Sequence, residues 1–185
     1  MTLAQWAQLD EEVTGELIDG RLEEEEMPTL LHELVVGWLV ATFHTWLADR
    51  GGVVGGSEAK LAVGSTRGRK PDVFVYLPGR PRPPLDATLF EVPPTIVVEV
   101  VTPTPRDVRR DRIEKLGDYA AFGVRYYWVI DPELRTLEIW ELDDKGRYFR
   151  ALAAFDGTLT EIPGCAGLSI DLSALWTRID QLATE

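Results

Sequence analysis

Residues 93–105 read PPTIVVEVVTPTP, a run of β-branched residues bounded by prolines and interrupted by one acid, Glu99. Valine and isoleucine favour strands, and the flanking prolines limit the run to the length of a single strand. Because side chains alternate between the faces of a strand, Glu99 shares its face with Val97 and Val101. Apolar residues on both faces predict an interior strand that is covered on both sides and contains a carboxylate.

The elements around this strand predict an α/β (α+β) fold with a central mixed β-sheet flanked by helices. Residues 105–124 have helical spacing, and residues 124–131 form a second strand, so this unit predicts a crossover between parallel strands. The helical stripe of that crossover contains Val108, Ile113, Leu116 and Ala120, and the helix ends at Gly123.

A chain of 185 residues, 45% of them hydrophobic, predicts one domain over residues 1–185. Its expected parts are an N-terminal helix and β-hairpin (1–27), a long helix (28–50), the sheet with its crossover helix (52–155) and a C-terminal helix (169–184). Asp19-Gly20 is typical of a two-residue hairpin turn, and Thr2, Ser169 or Asp171 are expected helix caps.

Composition excludes several classes of protein. The N-terminus has no basic and apolar signal pattern, and the run VVGWLVATF is about half as long as the ~20 residues that span a bilayer, so we expect a cytoplasmic protein without a membrane partner. Cys165 is the sole cysteine and has no nearby histidine, which argues against a disulfide, a thiol nucleophile or a common zinc site.

The charge of the chain is unevenly distributed. The formal net charge of −12 argues against a general nucleic-acid binder. The segment from Lys60 to Lys115, however, contains eleven basic and seven acidic residues. This excess is either a chance feature of a solvated surface or an electrostatic footprint for an anionic partner.

A second acid, Asp72, begins the apolar run DVFVYL. If this run and the strand of Glu99 are neighbours, the two carboxylates converge at one end of the sheet. A buried carboxylate must be paired, protonated or bound to a cation, and hard divalent cations prefer oxygen ligands. The pair therefore indicates a Mg²⁺ site, and the alternative is that arginines or backbone donors satisfy each acid separately.

The same residues carry a resemblance to a known group of enzymes. A proline–aspartate at a strand start, followed by glutamate in an apolar strand, resembles the PD-(D/E)XK nuclease superfamily. The segments ELIDGRL, PTLLH, RKPDVFVY and IVVEVVTPTPRDVRRDRIEKLGDYAAFGVRYYWVIDP narrow this to a similarity with the Uma-type restriction-endonuclease-like family, from about Glu16 to Pro132. The resemblance implies a restriction-endonuclease-like core.

The resemblance also implies roles for individual residues. Asp72 and Glu99 would be metal-binding acids, and the carbonyl of Val101 would be a further ligand. Val101 stands where the superfamily commonly has a lysine, and Lys115 on the following helix matches the Uma-type lysine. The resemblance further assigns catalytic or supporting roles to Glu16 and His32.

Each of these assignments has a structural alternative. Lys115 lies about 130° from the apolar stripe at ~100° per residue, which favours a solvated lysine, whereas Asp111 at i−4 could orient it. His32 could cap its helix or lie on the surface, and Glu16 could be a cross-strand ion-pair partner.

The combined hypothesis is a nuclease that uses Mg²⁺ or Mn²⁺ to hydrolyse phosphodiester bonds in nucleic acid, DNA being favoured. The expected phosphate-binding residues come from the basic segment and are Arg67, Arg69, Lys70, Arg80 and Arg82. The alternatives are an inactive nuclease-like binding or assembly module and a hydrolase of small phosphate esters. Six Trp residues and the apolar C-terminal helix are compatible with a homodimer.

Overall fold

The structure is a computed structural model that describes residues 1–10, 13–24, 27–102 and 109–184. Its helices are α1 (Leu3–Ala7), α2 (Leu30–Leu47), α3 (Lys115–Phe122) and α4 (Leu172–Ala183), and a π-helical turn, Arg110–Glu114, leads into α3. Its strands are β1 (Glu16–Ile18), β2 (Arg21–Glu23), β3 (Val53–Gly55), β4 (Leu61–Gly64), β5 (Arg67–Arg69), β6 (Val73–Tyr76), β7 (Ile96–Val100), β8 (Tyr126–Asp131), β9 (Thr136–Leu142), β10 (Tyr148–Ala154), β11 (Thr158–Leu159) and β12 (Ile170–Asp171).

The main sheet contains six strands in the order β10-β9-β8-β7-β6-β3. The pair β7–β8 is parallel, with Glu99 beside Val129, and the remaining pairs are antiparallel. The predicted mixed sheet and the parallel pair around the crossover helix are therefore confirmed. All five residues of β7 are buried, as its unbroken apolar run predicts.

The prediction of one sheet is incomplete, because β1, β2, β4 and β5 form a separate four-stranded sheet in the order β2-β1-β5-β4. Strand β5 has the sequence RGR and carries no strand-like pattern. Its central residue, Gly68, is required because a Cβ there would lie 2.2 Å from the Trp6 ring. The close approach of an aromatic ring replaces the side-chain packing that normally identifies a strand.

Two cores cover the two faces of the main sheet. On one face, α2 and α4 bury side chains that include Leu39, Phe43 and Trp176 against Val98 and Trp128. On the other face, α3 and the four-stranded sheet enclose a smaller cluster, whose buried members are Leu61, Val63, Val97, Val101, Tyr119, Val124, Tyr127 and Val129. Glu99 is on the face of this smaller cluster, since it alternates with Val98 and Val100.

Helix α2 is longer as an apolar segment than the sequence run suggested. Its 18 residues have a mean hydropathy of 1.3, so by length and composition alone it could cross a membrane. Its buried residues Val35, Leu39 and Phe43, each 0% exposed, instead cover the main sheet. The apolar residues of α2 recur at helical spacing and are interrupted by polar residues, so the longest uninterrupted apolar run is shorter than the helix.

The ends of the helices follow the expected chemistry. Thr2 caps α1 in a capping box with Gln5, and Asp171 rather than Ser169 caps α4. Gly123 ends α3 with a φ of 96°, as predicted. The hairpin turn at Asp19-Gly20 has positive φ at both residues, which matches its sequence signature.

The predicted apolar stripe of the crossover helix is confirmed at Leu116, which packs against the smaller cluster, and is wrong at Ile113. Ile113 is 66% exposed, whereas Lys115 is 3% exposed, and Val108 lies outside the described residues. The cause is the π-helical turn, in which the Lys115 N–H donates to the carbonyl of Arg110, five residues earlier. A wider turn changes the direction of each following side chain, so Lys115 and Tyr119 point toward the sheet.

Candidate active site

The two predicted acids occupy one end of adjacent strands. Strands β6 and β7 pair antiparallel with Val73 opposite Val98, and continuing this register by one residue places Asp72 opposite Glu99. Directly opposite residues share a face of the sheet. Asp72 Oδ2 accepts a hydrogen bond of 2.6 Å from the Val100 N–H, which fixes its carboxylate against β7.

A small cavity of about 120 Å³ opens at this end of the sheet. Its wall combines both acids with residues from α2, the π-helical turn and α3. The lining residues are Pro28, His32, Glu33, Ser57, Glu58, Lys70, Asp72, Glu99, Val100, Thr102, Arg110, Asp111 and Lys115. The structure thus brings Asp72, Glu99, Lys115 and His32 together around one space.

Lys115 reaches Glu99 from the first turn of α3. Its Nζ lies 2.8 Å from Glu99 Oε2, and one turn later the Tyr119 hydroxyl donates a 2.6 Å hydrogen bond to Glu99 Oε1. Lys115, Tyr119 and Glu99 are all buried, so the two donors hold the carboxylate in one orientation. The alternative of a solvated lysine is therefore wrong.

Glu16 lies on the far side of Lys115, with its Oε1 3.4 Å from the ammonium. Strand β1 pairs with β5 so that Leu17 is opposite Gly68, which sets Glu16 beside Arg69. Arg69 Nη1 donates to Glu16 Oε2 at 2.6 Å, and the Lys70 N–H donates to Glu16 Oε1 at 2.9 Å. Glu16 is consequently both the cross-strand ion-pair partner and a support for Lys115.

His32 lies in the first turn of α2, where Thr29 caps the helix by accepting a hydrogen bond from the His32 N–H. The imidazole lies in the cavity wall, with Nε2 3.2 Å from Asp72 Oδ1 and Nδ1 3.3 Å from Glu33 Oε1. The ring is largely buried, so the surface alternative is wrong. Burial alone would lower the pKa of His32, but Asp72 and Glu33 raise it above its usual value.

Asp111 is a fourth acid that sequence reasoning treated only as a partner of Lys115. It is 3% exposed and lines the cavity, and its Oδ1 lies 3.5 Å from Lys115 Nζ. The Tyr127 hydroxyl donates to the Asp111 backbone carbonyl at 2.6 Å, which anchors the π-helical turn to β8. The i,i+4 spacing to Lys115 was the available signal, but burial of Asp111 depends on the π-helical turn.

The electrostatics of the site follow from the buried Lys115 ammonium among several carboxylates. Burial raises the pKa of Glu99 well above its usual 4.5, with Asp72 and Asp111 adding to the rise and Lys115 opposing it. Burial opposes ionisation of Glu16 too, but Lys115 and Arg69 overcome it and lower the pKa of Glu16. The carboxylates in turn hold the Lys115 pKa well above its usual value despite burial.

The donor set fits a small, hard divalent cation. Among the described residues, no group of three or more His, Cys, Asp or Glu side chains is placed to hold a metal ion. Mg²⁺ usually keeps several waters and takes only one or two protein carboxylates, which Asp72 and Glu99 supply at one cavity. On this strand end, Val100 and Thr102 rather than Val101 are among the lining residues, so the role of the Val101 carbonyl stays a prediction.

The predicted phosphate-binding residues are not gathered at the cavity. Arg67 pairs with Asp19 and Asp118, and Arg69, 1% exposed, is held by Glu16 and Asp118. Lys70 does line the cavity, and its Nζ pairs with Glu58 at 2.7 Å. The remaining two, Arg80 and Arg82, are exposed and follow the opposite end of β6 from Asp72. A role for these five residues in binding nucleic acid stays a prediction.

Comparisons with known proteins agree with this architecture. The model of the Uma2 family, described as "Putative restriction endonuclease", matches residues 2–173. The crystal structure of "a putative nuclease belonging to DUF820 from Anabaena variabilis ATCC 29413" has a TM-score of 0.75 to this chain at 20% sequence identity. The alignment covers 96% of this chain and 98% of the Anabaena chain, which shows a shared fold. A comparison with curated proteins gives no match.

Proposed function

The chain belongs to the Uma2 family, as its sequence resemblance predicted, and from this premise we propose that it is a Mg²⁺- or Mn²⁺-dependent endonuclease acting on DNA. The family and the nuclease-like fold support a nuclease function. The observation that carries the finer proposal is the convergence of Asp72, Glu99 and Lys115 on one cavity. Two carboxylates and one ammonium are the charges needed to hold a divalent cation beside a phosphate.

Within this proposal, each residue has a defined task. Asp72 and Glu99 would hold the cation, which when bound supplies Lewis-acid chemistry by polarising a phosphoryl oxygen and favouring ionisation of water. Lys115 would donate a hydrogen bond to the negative charge that develops on the phosphate. His32 and Tyr119 keep the two carboxylates in fixed orientations through the contacts described above.

The test is plasmid cleavage by Glu99→Gln with Mg²⁺ or Mn²⁺. The amide keeps the shape of the side chain but cannot supply the anionic ligand, so we expect cleavage to fall by at least about a hundredfold. Glu141→Gln is the matched control, because Glu141 lies on β9 outside the cavity and pairs with Arg125. Equal cleavage by Glu99→Gln and wild type would show that Glu99 is not a metal-binding residue of the nuclease.

An inactive nuclease-like module is the second candidate, and one observation favours it. Both oxygens of Glu99 already accept hydrogen bonds, from Lys115 and Tyr119. In a site that has only a structural role, Lys115 and Tyr119 would continue to occupy both oxygens of Glu99 and no cation would bind there. Calorimetric titration with Mn²⁺ separates the two functions, since absence of binding at millimolar concentration supports the module and binding supports the nuclease.

A further inference from the structure

Lys115 donates a hydrogen bond to the Glu99 oxygen that a bound cation would need, so cation binding requires a second position for the Lys115 ammonium. Lys115 Nζ is 2.8 Å from Glu99 Oε2, while Tyr119 occupies Oε1. A protein oxygen that binds Mg²⁺ lies at about 2.1 Å from it, and an ammonium on the same oxygen would be repelled. Engagement of Glu99 Oε2 by a cation therefore requires another acceptor for Lys115.

Two further carboxylates lie within reach of the ammonium. Glu16 Oε1, at 3.4 Å, already accepts a hydrogen bond from the Lys70 N–H, and Glu16 Oε2 accepts one from Arg69. Asp111 Oδ1, at 3.5 Å, is buried and has no hydrogen-bond partner among the described residues, its other near contact being Arg110 Nε at 3.6 Å. Asp111 is thus the acceptor with remaining capacity.

The position of Asp111 is fixed independently of Lys115. Its backbone carbonyl accepts a hydrogen bond from the Tyr127 hydroxyl at 2.6 Å, and its side chain is 4% exposed in the cavity wall. A small movement of the flexible lysine side chain therefore suffices to exchange Glu99 for Asp111. Lys115 would remain beside the cavity, where a phosphate would be bound.

We propose that Asp111 is a positioning residue that receives the Lys115 ammonium when a divalent cation engages Glu99. This inference rests on the proposed function, since it requires that the site bind a cation. It makes cation binding and the placement of Lys115 two parts of one equilibrium. Asp111 Oδ1, which has no hydrogen-bond partner among the described residues, is then the oxygen that accepts the ammonium.

The test is a double-mutant cycle read by calorimetric titration with Mn²⁺. Asp111→Asn should weaken Mn²⁺ binding about tenfold in the wild-type background, because the displaced ammonium lacks its carboxylate. In a Lys115→Met background the same substitution should leave the Kd unchanged, since no ammonium has to be received. Glu114→Gln, which removes an exposed charge from the same turn, is the control and should bind like wild type.

The outcomes separate the two proposals. Equal loss of affinity in both backgrounds would show that Asp111 is a direct ligand and would overturn the inference. An unchanged Kd for Asp111→Asn would overturn it too. Absence of Mn²⁺ binding by the wild type overturns the proposed function together with this inference.

Lysine-selective NMR with Mg²⁺ gives a second readout that does not require Lys115→Met to fold. The Lys115 signal should shift on addition of Mg²⁺ in the wild type and not in Asp111→Asn. A wild-type signal that does not move overturns the inference.

Discussion

Lys115 Nζ and Glu99 Oε2, 2.8 Å apart, join the first turn of α3 to β7, one of the two central strands of the main sheet. The two residues are 16 apart along the chain, and both side chains are buried. Among the described residues, Lys115 is the one lysine whose ammonium pairs with Glu16, Glu99 and Asp111. The stability of this region and its chemistry consequently depend on the same ammonium.

Lys115→Met is expected to destabilise the protein strongly. The substitution keeps an unbranched side chain but leaves buried carboxylates without their cation, which typically costs about 3–5 kcal/mol. Urea unfolding at neutral pH measures the loss. The double variant Lys115→Met with Glu99→Gln should recover part of it, and a double variant no more stable than Lys115→Met would contradict this reading of the pair.

The positions of Asp72 and Glu99 could be predicted from the sequence pattern, whereas the positions of Lys115 and Glu16 beside them could not. Asp72 and Glu99 could be predicted because strand periodicity is regular and an acid in a valine run is conspicuous. The burial of Lys115 could not be predicted, since helical phase assumes a uniform turn and the Arg110–Glu114 segment is π-helical. The place of Glu16 depended on β5, whose central Gly68 shows no strand pattern. Family resemblance supplied both residues where periodicity did not.

Tyr119→Phe should lower stability and also weaken metal binding. It removes the 2.6 Å hydrogen bond to Glu99 Oε1, a bond to a charged acceptor that is worth about 1.5–3 kcal/mol. Tyr148→Phe is the comparison, because Tyr148 donates at the same 2.6 Å to the neutral carbonyl of Val124 outside the cavity. Urea unfolding should show the larger loss for Tyr119→Phe, and Mn²⁺ titration should show a loss for that variant alone. Equal effects in both measurements would mean that Tyr119 only packs.

The stability difference between Glu99→Gln and the cation-free wild type should depend on pH. Burial raises the pKa of folded Glu99 well above 4.5, so between these two values the folded state holds more protons than the unfolded state. Stability therefore falls as pH rises through that window, and the loss is absent in the glutamine variant. Thermal unfolding from about pH 4.5 to about pH 8 should show the variant gaining on wild type as pH increases. A stability difference that is independent of pH would contradict the raised pKa.

A divalent cation should stabilise the wild type by mass action. At a hundred times its Kd, Mn²⁺ adds about 2.7 kcal/mol, which corresponds to a Tm increase of about 5–10 °C for a chain of this size. Asp72→Asn should lose most of this increase, because Asp72 is one of the two cavity carboxylates proposed to hold the cation. Asp86→Asn, at an exposed position, should keep it and controls for the loss of one negative charge. Differential scanning fluorimetry with and without Mn²⁺ gives the comparison, and an equal increase for Asp72→Asn and wild type would place the cation elsewhere on the protein.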